Sequence, residues 1–411
     1  MIKILARPTE ISAAALEQSL GFYAKVLARH ELGFIQLPDR PALREACQAQ
    51  AKRLQAMSKR LFFFGIGGSS LGPQFLSDVF SKTGQVTIID NPDPHFVKRS
   101  LGDSSTWSDA AFVFVSKSGT TLETLSALQY VNDELSAKDP KWLGRALVVT
   151  ESKPSPLMNW AKANHVQQIE VPRDVGGRFS VLSPVGMFLA EYLGQNSKEF
   201  HAGATWAKSQ DKLIAELTAQ SLASWKRDEW ITQFWTYSSS LKNLAAWTVQ
   251  LWAESLGKAQ DRQGKTPARV SSPVAALGAN DQHSILQQVM EGTHDNWVVL
   301  HRVAQFGTDI KLSPTSLFPE LSEIGGKSLG DILNIEARAT AEALRRQGVS
   351  VLELELQDLS AKTMGAVLQT WMLVVASLGE AIDINAFDQP GVELGKRLAK
   401  GILKNGVLPE L

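Results

Sequence analysis

VSKSGTTLETL, Val115–Leu125, is the stretch on which the reading of this chain turns. It leaves the apolar run Ala111–Val115 through five hydroxyl side chains and one lysine. A helix cap employs one or two hydroxyls, with Glu123 in the first turn and Leu122, Leu125 and Leu128 toward a core. Here Ser116, Ser118, Thr120 and Thr121 crowd around Gly119. If Ala111–Val115 is a parallel strand, they stand at its C-terminal end, where open α/β sheets bind ligands. Hydroxyls and backbone N–H groups there make a neutral cradle for phosphate, to which Lys117 adds either charge or a structural contact.

The surroundings support a parallel sheet. Short apolar or β-branched runs recur at Leu61–Phe64, Val86–Ile89, Ala146–Thr150 and Gln168–Val171, separated by helical patterns, which is the mark of βαβ units. Before them, Ile11–Ala28 and Ala42–Ala56 read as helices. Around Gln195–Leu222 the chain turns polar and helical, and a second, less regular set of strands follows at Ile231–Tyr237, Val270–Ala275, Trp297–Leu300 and Val351–Leu356. The expected architecture is α/β: an N-terminal helical segment over residues 1–55 and two doubly wound α/β/α domains over 56–200 and 201–411, with mainly parallel sheets.

The 411 residues suffice for two or three cores. With 42 basic and 42 acidic residues, no net field favours nucleic acid or an anionic membrane. The one cysteine, Cys47, excludes an internal disulfide, and no uninterrupted apolar run approaches the ~18 residues of a membrane span. A cytoplasmic protein is expected.

GIGGSSLGP, Gly65–Pro73, follows the strand Leu61–Phe64 and opens a helix. Glycines let a backbone approach a ligand, and a helix N-terminus offers free N–H groups. Gly65-x-Gly67 with Asp90 at the end of the next strand also fits a dinucleotide site, but Ser70 stands where the third glycine belongs. A plain tight turn is the other account. AQDRQGKT, Ala259–Thr266, matches a relaxed P-loop, yet its flanks are polar and Pro267 follows at once; an exposed loop is expected.

Glu254 lies near the end of a helical pattern whose apolar face carries Leu244, Trp247 and Leu251, with Gln250 one turn earlier on the same side. Partial shielding makes a carboxylate a better proton carrier near neutral pH. Arg178 follows two glycines in GGRFS, and a guanidinium so placed can steady developing negative charge or form an ordinary ion pair. His283, in NDQHS, is expected in the first turn of a helix capped near Asn280, where the helix dipole disfavours imidazolium.

Six ordered motifs carry a resemblance: GIGGSSLGP, SKSGTTLET, GGRFSVLSPVG at Gly176–Gly186, ESLGK at Glu254–Lys258, NDQHS at Asn280–Ser284 and DQPGVELGKRLAKG at Asp388–Gly401. In this order they resemble the glucose-6-phosphate isomerase family of the sugar isomerase fold, in its bacterial rather than animal form. The resemblance implies interconversion of glucose 6-phosphate and fructose 6-phosphate through a cis-enediolate, without cofactor or metal. It makes Glu254 the proton shuttle and Arg178 the electrostatic stabiliser. His283 assists ring opening from a neighbouring subunit of a homodimer, and Lys396 stands at the ring-oxygen end of the sugar. Gly68, Ser69, Ser116, Lys117, Ser118, Thr121, Gln250 and Gln389 become contacts to the phosphorylated hexose. A sensor that binds phosphosugars without turnover would have no use for Glu254, Arg178, His283 and Lys396 together; a nicotinamide-dependent dehydrogenase would rest on Gly65–Asp90 alone.

Overall fold

A computed structural model describes residues 1–408 and contains two five-stranded sheets. In the first, β2 (Arg60–Phe64), β3 (Val86–Ile89), β4 (Ala110–Val115), β5 (Ala146–Thr150) and β6 (Gln167–Glu170) run parallel in the order β3-β2-β4-β5-β6. The second holds β1 (Ile2–Ala6), β7 (Ile231–Tyr237), β8 (Ser272–Gly278), β9 (Asn296–Gln305) and β10 (Ser350–Asp358) in the order β1-β10-β9-β7-β8. All of its pairings are parallel except β1 with β10. The expected strands are present, with β9 and β10 longer than read and β8 displaced toward its C-terminal end.

One feature of the N-terminus differs from the expectation of helices alone. Ile2–Ala6 is a strand that closes the edge of the second sheet, so the first residues of the chain join its last strand. Five residues, of which only Ile2 is buried, are too short a pattern to announce a strand. The helices Ala13–Leu27 and Pro41–Met57 follow as expected.

The apolar runs exist because both faces of each sheet are covered. All six residues of β4 are buried; Ala111, Val113 and Val115 point into one core, and Ala110, Phe112 and Phe114 into another. The former core is shared, for it also takes Phe234, Val299 and Leu352 from the second sheet. The helix Ala361–Ala381, with 18 of its 21 residues buried, packs on β10 and β1 of the second sheet and against the helices Ala13–Leu27, Ser197–Lys208, Asp211–Lys226 and Lys242–Leu256. It is long and apolar enough to cross a membrane, and here it is the central strut of the shared core. The polar stretch around Gln195–Leu222 is also interior: Thr218 and Ser221 bury their hydroxyls by donating to Ile214 and Leu217 carbonyls in their own helix, each at 2.8 Å.

Two buried histidines are held neutral by geometry. The Trp371 indole N–H donates to His301 Nε2 at 3.1 Å, and Arg44 donates to His201 Nδ1 at 3.2 Å, so each ring has a nitrogen that must stay bare. Burial pushes both pKa values down to about 4. An unfolded chain takes up these protons near the ordinary histidine pKa of about 6.5, whereas the folded chain does so only near 4. Their contribution is therefore complete above pH ~6.5 and lost as pH falls toward 4, at up to about 1.4 kcal/mol per pH unit for each ring. Urea midpoints measured from pH 7.5 to 4.5 should fall below pH ~6.5, and His301→Gln should flatten the slope; an unchanged slope in that variant would remove His301 from this account.

Candidate active site

The site grows from the neighbouring C-terminal ends of β2 and β4. These strands pair in parallel, with Phe64 opposite Phe114, so the glycine turn and the hydroxyl loop emerge side by side. In the loop, Gly119 has φ +67, and a Cβ there would lie 2.1 Å from Ser155 Oγ; no other residue fits without moving the next helix cap. Ser116 Oγ, which is buried, accepts from the Gly119 N–H at 3.1 Å and shares a 2.7 Å hydrogen bond with Thr121 Oγ1. Ser118 Oγ pairs with Thr120 Oγ1 at 3.0 Å and accepts from the Thr120 N–H at 3.2 Å. The hydroxyls thus shape the loop that they line.

Lys117 resolves to the structural alternative. Its ammonium lies 3.2 Å from the buried Glu151 carboxylate and donates to the Arg173 carbonyl at 3.2 Å. Although burial pushes the other way, hydrogen bonds from Lys153 and Lys117 hold the Glu151 carboxyl below its ordinary pKa. The charge of Lys117 is therefore largely spent on fixing the loop to the end of β5.

Gly68 ties this edge of the sheet to the second half of the site. A Cβ on it would meet the Gly177 carbonyl oxygen at 2.4 Å and the Arg178 nitrogen at 2.9 Å, so the glycine turn and the GGRFS loop touch backbone to backbone. Beside them runs the helix Lys242–Leu256, with Leu244, Trp247 and Leu251 buried as its pattern required. Gln250, whose amide lies against Gly67, donates from Nε2 to Glu254 Oε1 at 2.9 Å. Gln250 Oε1 is buried and has no hydrogen-bond partner among the described residues. The Glu254 side chain is 31% exposed.

Arg178 closes the arrangement. Its side chain is 1% exposed. Nε donates to Ser255 Oγ at 2.7 Å, and Nη1 donates to Gln389 Oε1 at 2.7 Å and to Glu254 Oε2 at 3.3 Å. Nη2 donates to the carbonyls of Ala386 at 2.6 Å and Asp388 at 2.9 Å. Desolvation lowers its pKa against the opposing pull of Glu254, yet a guanidinium remains a cation at neutral pH.

Lys258 ends the ESLGK motif, and the resemblance gives it no role. Its side chain is 6% exposed, and Nζ donates to the Glu254 carbonyl at 2.8 Å and to the Asp388 carbonyl, with the Asp388 carboxylate at 3.3 Å. It satisfies a last-turn carbonyl of the helix while fastening the segment that carries Gln389. A lysine directly after a helix-ending glycine was the available signal.

Two expected residues stand apart from this cluster. His283 is exposed and closes a four-residue 3-10 turn, Asn280–His283, preceded by Ala279; the following helix begins at Leu286. It therefore does not occupy the first turn of a helix, because Asp281 folds its carboxylate back to accept from the Leu277 N–H and bends the chain before the helix starts. Lys396 lies on the helix Glu393–Asn405, which buries no residue; it is 59% exposed and pairs with Glu393 at 2.8 Å. The P-loop look-alike is a surface turn, with Asp261 accepting from the N–H groups of Gln263 and Lys265.

Fold and site together define a sugar isomerase-type α/β protein in which a hydroxyl-lined loop leaves the sheet beside a glycine turn, and that turn packs on the loop carrying Arg178, the partner of Glu254. The phosphoglucose isomerase family model matches residues 54–295 and 324–407, and the chain belongs to that family. It is 35% identical over 381 residues to glucose-6-phosphate isomerase of Thermus thermophilus, covering 90% of this chain and 89% of that one. A solved structure of a hypothetical protein from Thermus thermophilus superposes with a TM-score of 0.86 at 32% identity over 95% of both chains. The glucose-6-phosphate isomerase of Chlamydia trachomatis shares the fold, with a TM-score of 0.78 at 23% identity over 98% of this chain and 88% of that one.

If Arg178 fastens the 386–389 segment, Arg178→Ala should accelerate amide exchange there by at least about tenfold, since each hydrogen bond to a charge contributes roughly 1.5–3 kcal/mol. Exchange at wild-type rates in a folded variant would show that the segment is held by other contacts.

Proposed function

We propose that this crevice interconverts D-glucose 6-phosphate and D-fructose 6-phosphate through a cis-enediolate, with Glu254 carrying the proton between C1 and C2. Membership of the family makes the chain an aldose–ketose isomerase of phosphorylated hexose, and the roles below are those that the geometry supports. The observation that carries them is the contact of Glu254 with both Arg178 and Gln250. A carboxylate that removes a proton beside a carbonyl needs a fixed cation near the oxygens that become negative. Arg178 supplies that charge without reorganising, because the protein already holds it rigidly. Ser116, Ser118 and Thr121, with the Lys117 backbone, grip the phosphate through neutral donors; Gly68 and Ser69 lie along the sugar. A sugar hydroxyl gives the unpartnered Gln250 Oε1 a donor, and Gln389 extends the same edge.

His283 and Lys396 serve ring opening. In one chain both are exposed and neither touches Glu254 or Arg178 through a hydrogen bond. A homodimer in which His283 enters the neighbouring crevice accounts for its position on an exposed turn. A cytoplasmic location goes with this reading.

Glu254→Gln keeps the size of the side chain and removes its basicity. Turnover should fall at least ~10²-fold with phosphosugar affinity little changed, as general base removal typically costs roughly 10²–10⁴; a variant near the wild-type rate would show that another group carries the proton. Sharing of His283 has its own test. Glu254→Gln and His283→Ala homodimers should both be poor, whereas subunits refolded together in equal amounts should recover about a quarter of wild-type activity, from the one intact site in each mixed dimer. No recovery, with mixed dimers present, would place His283 in its own subunit's site.

A further inference from the structure

On the opposite face of the first sheet from Glu254 lies a cavity of about 340 Å³ that the isomerase chemistry leaves unused. It opens between the helix Pro94–Leu101 and the helix Leu122–Leu135, at the C-terminal ends of β2 and β3. Pro92 and Val97 line it from one element, Ala127 and Tyr130 from the other, and its polar groups include Asp90 and Glu123. We propose that this cavity binds a nucleoside, with the flat base between the two apolar walls and the ribose diol on the Asp90 carboxylate.

The argument rests on what such a lining can satisfy. The size falls within the range of small-molecule pockets, and mainly apolar walls with few polar groups are the usual form of one. Against Pro92, Val97 and Ala127 a hexose hydroxyl finds no partner, and the polar residues Asp90, Asn91, Lys98, Glu123, Thr124 and Ser126 suit the few polar edges of a flat ring better than a molecule with hydroxyls on every side. A heteroaromatic ring presents two apolar faces instead, and Tyr130 can pack against one. The exocyclic amine of adenine finds an acceptor in Glu123.

Asp90 is set up for a diol. It follows β3, and the Gly65 N–H donates to the Ile89 carbonyl at 3.2 Å, so the carboxylate stands beside the glycine turn. Gln74 Nε2 donates to Asp90 Oδ2 at 2.7 Å and orients the group, leaving Oδ1 for hydroxyl donors. An acid one strand over from a glycine turn is the arrangement by which open α/β sheets recognise ribose. A full dinucleotide does not fit this turn. Ser70 replaces the third glycine and donates to the Gly67 carbonyl at 3.2 Å, while Gly68 is pressed against Gly177 and Arg178. The space that a pyrophosphate would enter is filled by protein, so the ligand ends at the nucleoside or its first phosphate.

Adenosine, which has no phosphate with which to enter the hydroxyl loop, is the probe. Calorimetric titration of the intact protein should show one saturable site per chain. Asp90→Ala should weaken it about tenfold, the worth of a hydrogen bond to a charged group, and Ala127→Trp, which fills the slot, should abolish it. Both variants should keep isomerase activity, and saturating inorganic phosphate, directed to the hydroxyl loop, should leave the binding unchanged. Absence of saturable binding overturns the proposal, as does wild-type affinity in both folded variants or displacement by phosphate. Because the readout is adenosine binding, these outcomes are independent of whether Glu254 is the base.

Discussion

A buried guanidinium sets the terms for everything else in this protein. Removing an arginine from water costs several kcal/mol unless its N–H groups are met. Arg178 has five, and five acceptors meet them: Ser255 Oγ, Glu254 Oε2, Gln389 Oε1 and the carbonyls of Ala386 and Asp388. The acceptors come from the end of the Lys242–Leu256 helix and from a segment more than a hundred residues later. Solvating one charge thus forces three distant stretches to converge. Lys258 repeats the device on a smaller scale, holding the same two stretches from the far side of Glu254. Arg178 meets the Glu254 carboxylate and Lys258 its backbone carbonyl, and the side chain stays partly open to the crevice.

Most of the fold was legible because parallel sheets covered on both faces write themselves as unbroken apolar runs; β4 and β5 bury every residue and were read almost to their ends. β1 was not, since an edge strand of five residues with mixed exposure has no such run. The site shows the same division. A glycine that touches backbone, as Gly68 does, or takes a positive φ against a neighbouring side chain, as Gly119 does, leaves a visible motif, and so does the stripe that positions Glu254. The pairing of Lys117 with Glu151 and the clamp by Lys258 were hidden, because each is decided by a partner far away in sequence. His283 was misplaced for a local reason. NDQHS contains a plausible cap, but Asp281 turns its carboxylate toward Leu277 and makes a tight turn where a helix start was expected.

The site therefore has a rigid half and a half whose position the single chain leaves open. The hydroxyl loop, the glycine turn, Arg178, Gln250 and Glu254 are fixed by core packing and hydrogen bonds, with Gln250 Oε1 left unpartnered among the described residues. Lys396 rides on a helix with no buried residue, in which Leu394, Leu398 and Ile402 recur at intervals of four to form an apolar stripe. Two of these, Leu394 and Ile402, are each 42% exposed. Lys396 lies two residues from Leu394, which at 100° per residue puts it on the face opposite that stripe. Covering the stripe would gain the free energy of apolar burial and, by the same rotation, settle where the lysine points. On the proposed roles, proton transfer is served by groups locked in advance, while ring opening draws on groups whose placement depends on what packs against an exposed surface.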